Sequence, residues 1–281
     1  LNPEEYLKLF LFIHEKNGMG NIILDSGRRG VKNAYFLCCN FLFKIPYFYV
    51  LNANFANKMQ VMEKYRIPMV PGPVAVPPEI LEVAAFNYGS PDLEDEYITL
   101  YKSTEKALQK IMHTRHKIVI QTGEGMLALW SALKSTLLPG DKVLALSTGL
   151  FGYGIGMMAE TLGCEVKIMD FGFNESIREF ELVEKAIREF CPKMITMVHS
   201  ETPSGTINPV DQIGILKEKY EIPLLYVDAV SGIGGSLVKT DDWHIDFCLG
   251  ASQKCLSAPA NMAFLSVSEK AWEIIEEVGY V

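Results

Sequence analysis

From Arg66 onward, short apolar runs alternate with stretches whose apolar residues recur at helical spacing. The runs predict buried strands at 118–121, 142–146, 164–169, 194–198, 224–227, 247–249 and 262–266. Between them, positions three and four apart predict helices at 127–137, 155–161, 180–190 and 212–220. Upstream, Pro77-Pro78 opens a helix through Ile80, Val83 and Ala84, and 103–112 reads as another, with Leu108 and Met112 on one face. Strands that alternate with helices make βαβ units. The expected architecture is a three-layer α/β domain with a mainly parallel sheet and helices on both faces. Ligands of such sheets bind at the carboxyl ends of the strands.

Residues 1–60 read differently. Asn2-Pro3-Glu4-Glu5 is a helix start, Tyr6, Leu9, Phe10 and Ile13 share one helical face, and Asn17-Gly18 ends it. No regular unit follows. Residues 35–51 are apolar and aromatic, but Asn40, Lys44 and Pro46 interrupt them. They also fall short of the roughly 20 residues a membrane-spanning helix needs. The head of the chain shows no signal-peptide pattern. The expected division is an extension over 1–60 and one α/β domain over 61–281. Two readings of the extension stay open: a native addition, or a start placed upstream of a natural Met59 or Met62.

Charge sharpens that division. Residues 1–60 carry seven Lys/Arg against four Asp/Glu, whereas the remainder carries 19 against 30. A net charge of −8 excludes a general nucleic-acid binder, which needs a basic face. At 49% hydrophobic residues the chain can fill a large core without disulfides. The six cysteines, at 38, 39, 164, 191, 248 and 255, form no CxxC pair or metal-ligand spacing. They are read as reduced thiols of an intracellular protein, in the cytoplasm or an organelle matrix.

Three strand ends carry candidate chemistry. Thr122-Gly123-Glu124-Gly125-Met126 turns from a strand into a helix, where free N–H groups favour an anion. An ordinary turn reads the same way, and Glu124 would repel a phosphate unless it points away. Asp228 directly follows an apolar strand, ahead of Ala229-Val230-Ser231-Gly232, and serves either a ligand or a loop cap. Lys254, after Gly250-Ala251-Ser252-Gln253, is a candidate nucleophilic amine or a solvated surface lysine. Phosphate cradle, strand-end acid and loop lysine, in that order within one domain, are the parts a pyridoxal phosphate (PLP) site needs.

Over residues 66–281 the sequence resembles the class V aminotransferases of the fold-type I PLP enzymes, most closely their alanine–glyoxylate and serine–pyruvate group. The resemblance is most specific from Tyr226-Val227-Asp228-Ala229-Val230 through Gly250-Ala251-Ser252-Gln253-Lys254, with 26 residues from Asp228 to Lys254. His199-Ser200-Glu201-Thr202-Pro203-Ser204-Gly205 matches the family's segment under the cofactor ring, and Pro71-Gly72-Pro73 its substrate-side loop. The resemblance implies that Lys254 holds PLP covalently and later moves the substrate proton. It pairs Asp228 with the pyridinium nitrogen and stacks Phe151 on the ring. It puts Val230 against the other face and Thr202 near the 3-oxygen. Gly125 and Met126 give the phosphate backbone N–H groups, beside Glu124, and Gln253 gives it a polar contact. Gly72 lies on the substrate side. The implied activity moves an amino group from a small amino acid, alanine or serine, to a 2-oxo acid such as glyoxylate or pyruvate, in a homodimer.

The sequence departs from the family twice. Glu124-Gly125-Met126 stands where small hydroxyl residues are usual. The family pattern also continues past Val281 into the rest of the large domain and a small C-terminal domain, which bring the arginine for the substrate carboxylate. The resemblance therefore implies a truncated chain, and a non-catalytic relative is one alternative. Others within the class are aminoethylphosphonate and phosphoserine transaminases. Cysteine desulfurases usually carry histidine where Gln253 stands. A dinucleotide-binding oxidoreductase is disfavoured, because the first turn lacks a full GxGxxG and its acidic partner.

Overall fold

The computed structural model describes residues 21–27, 30–38, 41–46, 69–83, 85–86, 90 and 93–279. The expected helix after Asn2 lies outside them. Contacts divide the chain into two compact units, Leu1–Pro68 and Met69–Val281.

The first unit contains an antiparallel sheet in the order β1 (Asn21–Gly27), β2 (Gly30–Cys38), β3 (Phe41–Pro46). Its sequence is rich in β-branched and aromatic residues, such as Val31, Tyr35, Phe36, Phe43 and Ile45, which favour a pleated backbone. The apolar stretch that matched no recognisable unit thus falls partly on β2 and β3. Among the described residues no helix is long and apolar enough to cross a membrane.

The second unit opens with α1 (Pro78–Val83) and α2 (Asp95–Ile111). There follow β4 (Lys117–Thr122), α3 (Gly125–Thr136), β5 (Lys142–Ser147), α4 (Leu150–Thr161), β6 (Glu165–Asp170), α5 (Phe180–Phe190) and β7 (Met194–Val198). A small ladder, β8 (Ser200–Glu201) with β9 (Thr206–Ile207), precedes α6 (Val210–Lys219), β10 (Leu224–Asp228), β11 (Phe247–Ala251), β12 (Met262–Val267) and α7 (Glu269–Val278). The main sheet runs β4-β12-β11-β10-β7-β5-β6. β12 is antiparallel to both neighbours and every other pair is parallel.

The period of two along each strand divides the core into two layers. Leu144, Leu146, Ile195, Met197, Leu225, Val227 and Cys248 pack with residues of α2, α5 and α6. Their neighbours Val143, Met194, Leu224, Tyr226, Phe247 and Leu249 pack with α3, α4 and α7. Helices therefore cover both faces, as the strand–helix alternation requires. All five residues of β7, β10 and β11 are buried, which explains why these strands read as unbroken apolar runs.

Two helices start well before their apolar spacing predicts, by a turn or more. α2 begins at Asp95 rather than near Ser103, because the Ser103 and Thr104 hydroxyls donate back to the Leu100 carbonyl instead of capping a new helix. α4 begins at Leu150 rather than Ile155. Its three internal glycines weaken the local signal, and a carboxylate from elsewhere in the chain caps it.

Candidate active site

The turns that follow β4, β5, β7, β10 and β11 gather at one edge of the sheet, where the candidate residues lie. The turn after β11 is tight. Ser252 Oγ donates to the Pro259 carbonyl at 2.5 Å, the Ala258 N–H donates to the Ser252 carbonyl and the Ser257 N–H to the Lys254 carbonyl. It leaves Lys254 half-buried, its Nζ 3.4 Å from the Gly72 carbonyl oxygen.

The loop of Pro71-Gly72-Pro73 lies directly on this lysine. The Val74 N–H donates to the Gln253 carbonyl at 3.0 Å. A Cβ on Gly72 would stand 2.5 Å from Lys254 Cδ, and Gly72 has a φ of +140°, so both contact and backbone require glycine. Two sequence segments 182 residues apart thus meet at the candidate amine.

Asp228 ends β10 and is 5% exposed. Its Oδ1 accepts one hydrogen bond, from the Val230 N–H at 2.9 Å. Burial pushes its carboxyl up to about 6, opposed by the Val230 N–H, assisted by the negative charge of Glu201 and opposed by Lys254. Val230 and Ala251 line the start of α3: a Cβ on Gly125 would touch both, at 3.2 and 3.3 Å. Thr202 shares a 2.6 Å hydrogen bond with Ser231, three residues beyond Asp228. His199, at the end of β7, is nearly fully buried, and burial pushes its imidazole down towards the neutral form. Its backbone N–H donates to the Asp228 carbonyl at 2.8 Å.

The N-terminus of α3 is open. No side chain caps it, and the N–H groups of Gly125 and Met126 meet no acceptor among the described residues. Glu124 is exposed and makes no capping bond, while the Met126 side chain packs into the core. Gln253 is buried and its Oε1 has no hydrogen-bond partner among the described residues. Such an unpaired group is costly unless something else reaches it, and its amide is adjacent to Lys254.

The N-terminus of α4 is filled. The Phe151 N–H donates to Glu201 Oε1 at 2.7 Å and the Gly152 N–H to Oε2 at 3.2 Å. Glu201 is fully buried. Sequence reasoning assigned it no role, although an isolated acid between a buried strand and a turn is a usable signal. Ser231 was also passed over.

Direct contacts join Lys254, Gln253 and Gly72 in one group, and Gly125 with Val230 in another. Thr202 meets the loop after Asp228 through Ser231, and Phe151 enters through Glu201. Glu124 stands apart. No group of three His, Cys, Asp or Glu side chains among the described residues could hold a metal ion.

Residues 81–280 match the family model described as aminotransferase class-V. An uncharacterized aminotransferase of Methanocaldococcus jannaschii is 36% identical over 220 residues, covering 78% of this chain and 56% of that protein. The crystal structure of the ureidoglycine–glyoxylate aminotransferase of Bacillus subtilis superposes with a TM-score of 0.71 at 30% identity, covering 76% of this chain and 56% of the other. The alanine–glyoxylate aminotransferase of Nostoc sp. gives 0.70 at 25% identity, with coverages of 78% and 59%. The chain spans about half the length of the curated relatives it matches.

Proposed function

The chain belongs to the class V aminotransferases, a PLP-dependent family, and on that premise we propose that its sheet edge is a PLP site with Lys254 as the covalent anchor. The reaction we propose moves an amino group from a small amino acid, alanine or serine, to a 2-oxo acid such as glyoxylate or pyruvate. The relatives named for glyoxylate transamination support that choice of acceptor.

The observation that carries the reading is the buried, half-satisfied carboxylate of Asp228 within electrostatic reach of a half-buried lysine. A buried carboxylate with a single N–H donor lacks a partner, and a protonated pyridine nitrogen supplies one. The uncapped α3 fits a phosphate, and Gln253 is proposed to give it an amide N–H. The donor set present in the chain therefore fits the cofactor.

Bound PLP supplies the electron sink that makes the substrate's Cα–H bond acidic. The chain's own residues do the rest. Asp228, ionised above pH of about 6, keeps a proton on the ring nitrogen. Lys254 Nζ would hold the cofactor and, once free, would accept the substrate Cα proton as general base. The Gly72 carbonyl oxygen lies 3.4 Å from that Nζ. Val230 and Phe151 supply the apolar walls that exclude water. The homodimer implied by the family belongs to the same proposal and is read by light scattering of the purified chain.

The test is a visible spectrum of the chain titrated with PLP, with Lys254→Ala as control. A band at about 420 nm that the substitution removes, and that alanine or serine bleaches, is the expected result. A spectrum identical for both chains would sink the assignment.

A further inference from the structure

We propose that Glu201 is a positioning residue of the site: its carboxylate fixes the first turn of α4 and so sets where Phe151 presents its ring. The proposal rests on the reading of the PLP site given above.

Two helices begin at this sheet edge, and they are finished differently. α3 leaves its first N–H groups open, where an external anion fits. α4 receives an internal anion instead. Gly149, the residue before α4, has no side chain with which to cap it. The cap comes from 50 residues further along the chain, as Glu201 Oε1 accepts from Phe151 and Oε2 from Gly152. The approach is close enough to dictate its neighbour, since a Cβ on Gly149 would stand 2.6 Å from Glu201 Cγ.

The anchoring is tight at the other end as well. Glu201 pairs with Thr206 in the β8–β9 ladder, and its carbonyl accepts from the Gly205 N–H at 2.8 Å. The next residue, Thr202, holds Ser231 on the loop that follows Asp228. Glu201 thus ties Phe151 to the segment carrying the acid expected at the ring nitrogen. No cation pairs with its buried carboxylate among the described residues. A helix start that needed only a cap could be served by a serine or aspartate of its own. A distant buried carboxylate is costly, and what it adds is a fixed relation between two walls of the site.

The experiment is a double-mutant cycle on PLP affinity, read from the visible band in the wild type, Glu201→Gln, Phe151→Ala and the double variant. Circular dichroism checks the fold of each. The amide keeps the shape of Glu201 but surrenders its charge and one acceptor. Glu201→Gln should weaken PLP about tenfold in the wild-type background, the scale of coupling between residues in contact. In the Phe151→Ala background the same change should cost less than about twofold, because no ring remains to be misplaced. The acid limb of PLP binding should also move to lower pH, since Asp228 loses a like-charged neighbour. Equal losses in both backgrounds, or none, would overturn the proposal. Should Glu201→Gln not fold, Glu201→Asp, which keeps the charge but shortens the reach, enters the cycle with the same expectation for affinity. A wild-type chain without a Lys254-dependent band overturns the PLP reading itself and this proposal with it. That outcome appears before any substitution at Glu201.

Discussion

Asp228 and Asp246 are both buried aspartates, at opposite ends of neighbouring strands, yet the chain treats them differently. Asp246 precedes β11 at the amino edge of the sheet and is surrounded by donors. The Leu225 N–H and the Ser268 hydroxyl each bond it at 2.7 Å, and Lys217 Nζ lies 3.4 Å away. Burial still raises its carboxyl, with Lys217, Leu225 and Ser268 working against that rise. Asp228, at the carboxyl edge, has the Val230 N–H and, among the described residues, no other hydrogen bond to its carboxylate. Saturation marks an acid that holds a fold together. A deficit in the same core fits the proposal that Asp228 serves a cofactor.

The largest effect should come from Asp246→Ala. It leaves the Leu225 N–H without its buried partner and Lys217 with only the more exposed Glu218 carboxylate, at a cost of about 3–5 kcal/mol. Urea unfolding of the chain without PLP measures this, and a loss under 1 kcal/mol would erase the contrast. Asp228→Asn should act in the opposite direction. The folded carboxyl titrates at about 6, above its ordinary value of 3.8, so the folded chain binds the proton more tightly than the unfolded one. The resulting penalty is absent below pH of about 4, grows between about 4 and 6, and is complete above. The substitution removes it. Without PLP the variant should gain up to about 3 kcal/mol at pH 7.5 and nothing at pH 4, while losing its hold on the cofactor. Unfolding at the two pH values reads the difference, and a destabilised variant at pH 7.5 contradicts it. Ser268→Ala is the smallest test. Ser268 caps α7 through the Ala271 N–H at 3.0 Å and also donates to Asp246. About 1–2 kcal/mol should be lost, with PLP affinity unchanged.

The amino edge was poorly legible in the sequence and the carboxyl edge well legible, for a physical reason. Strand ends in a parallel sheet collect function, so Asp228 stood out directly after an apolar run and Lys254 in the short loop after another. Asp246 sits beside Trp243-His244-Ile245 with nothing local to show that Lys217 and Ser268 would close around it. Glu201 escaped notice likewise, because its partners lie 49 and 50 residues earlier. The meeting of Gly72 with Lys254 spans a larger gap, and only the family likeness hinted at it. Helix starts were misjudged where a long-range carboxylate overrode weak local propensity, as at Leu150.

The proposed role of Lys254 is that of the amine prepared for the cofactor. Its most direct measurement is borohydride reduction of the PLP-treated chain, followed by peptide mass mapping. One phosphopyridoxyl group is expected, on the peptide containing Lys254, and it should be lost when Asp228 is replaced by Asn. Label scattered over exposed lysines such as Lys185 and Lys270, with none at Lys254, would contradict it.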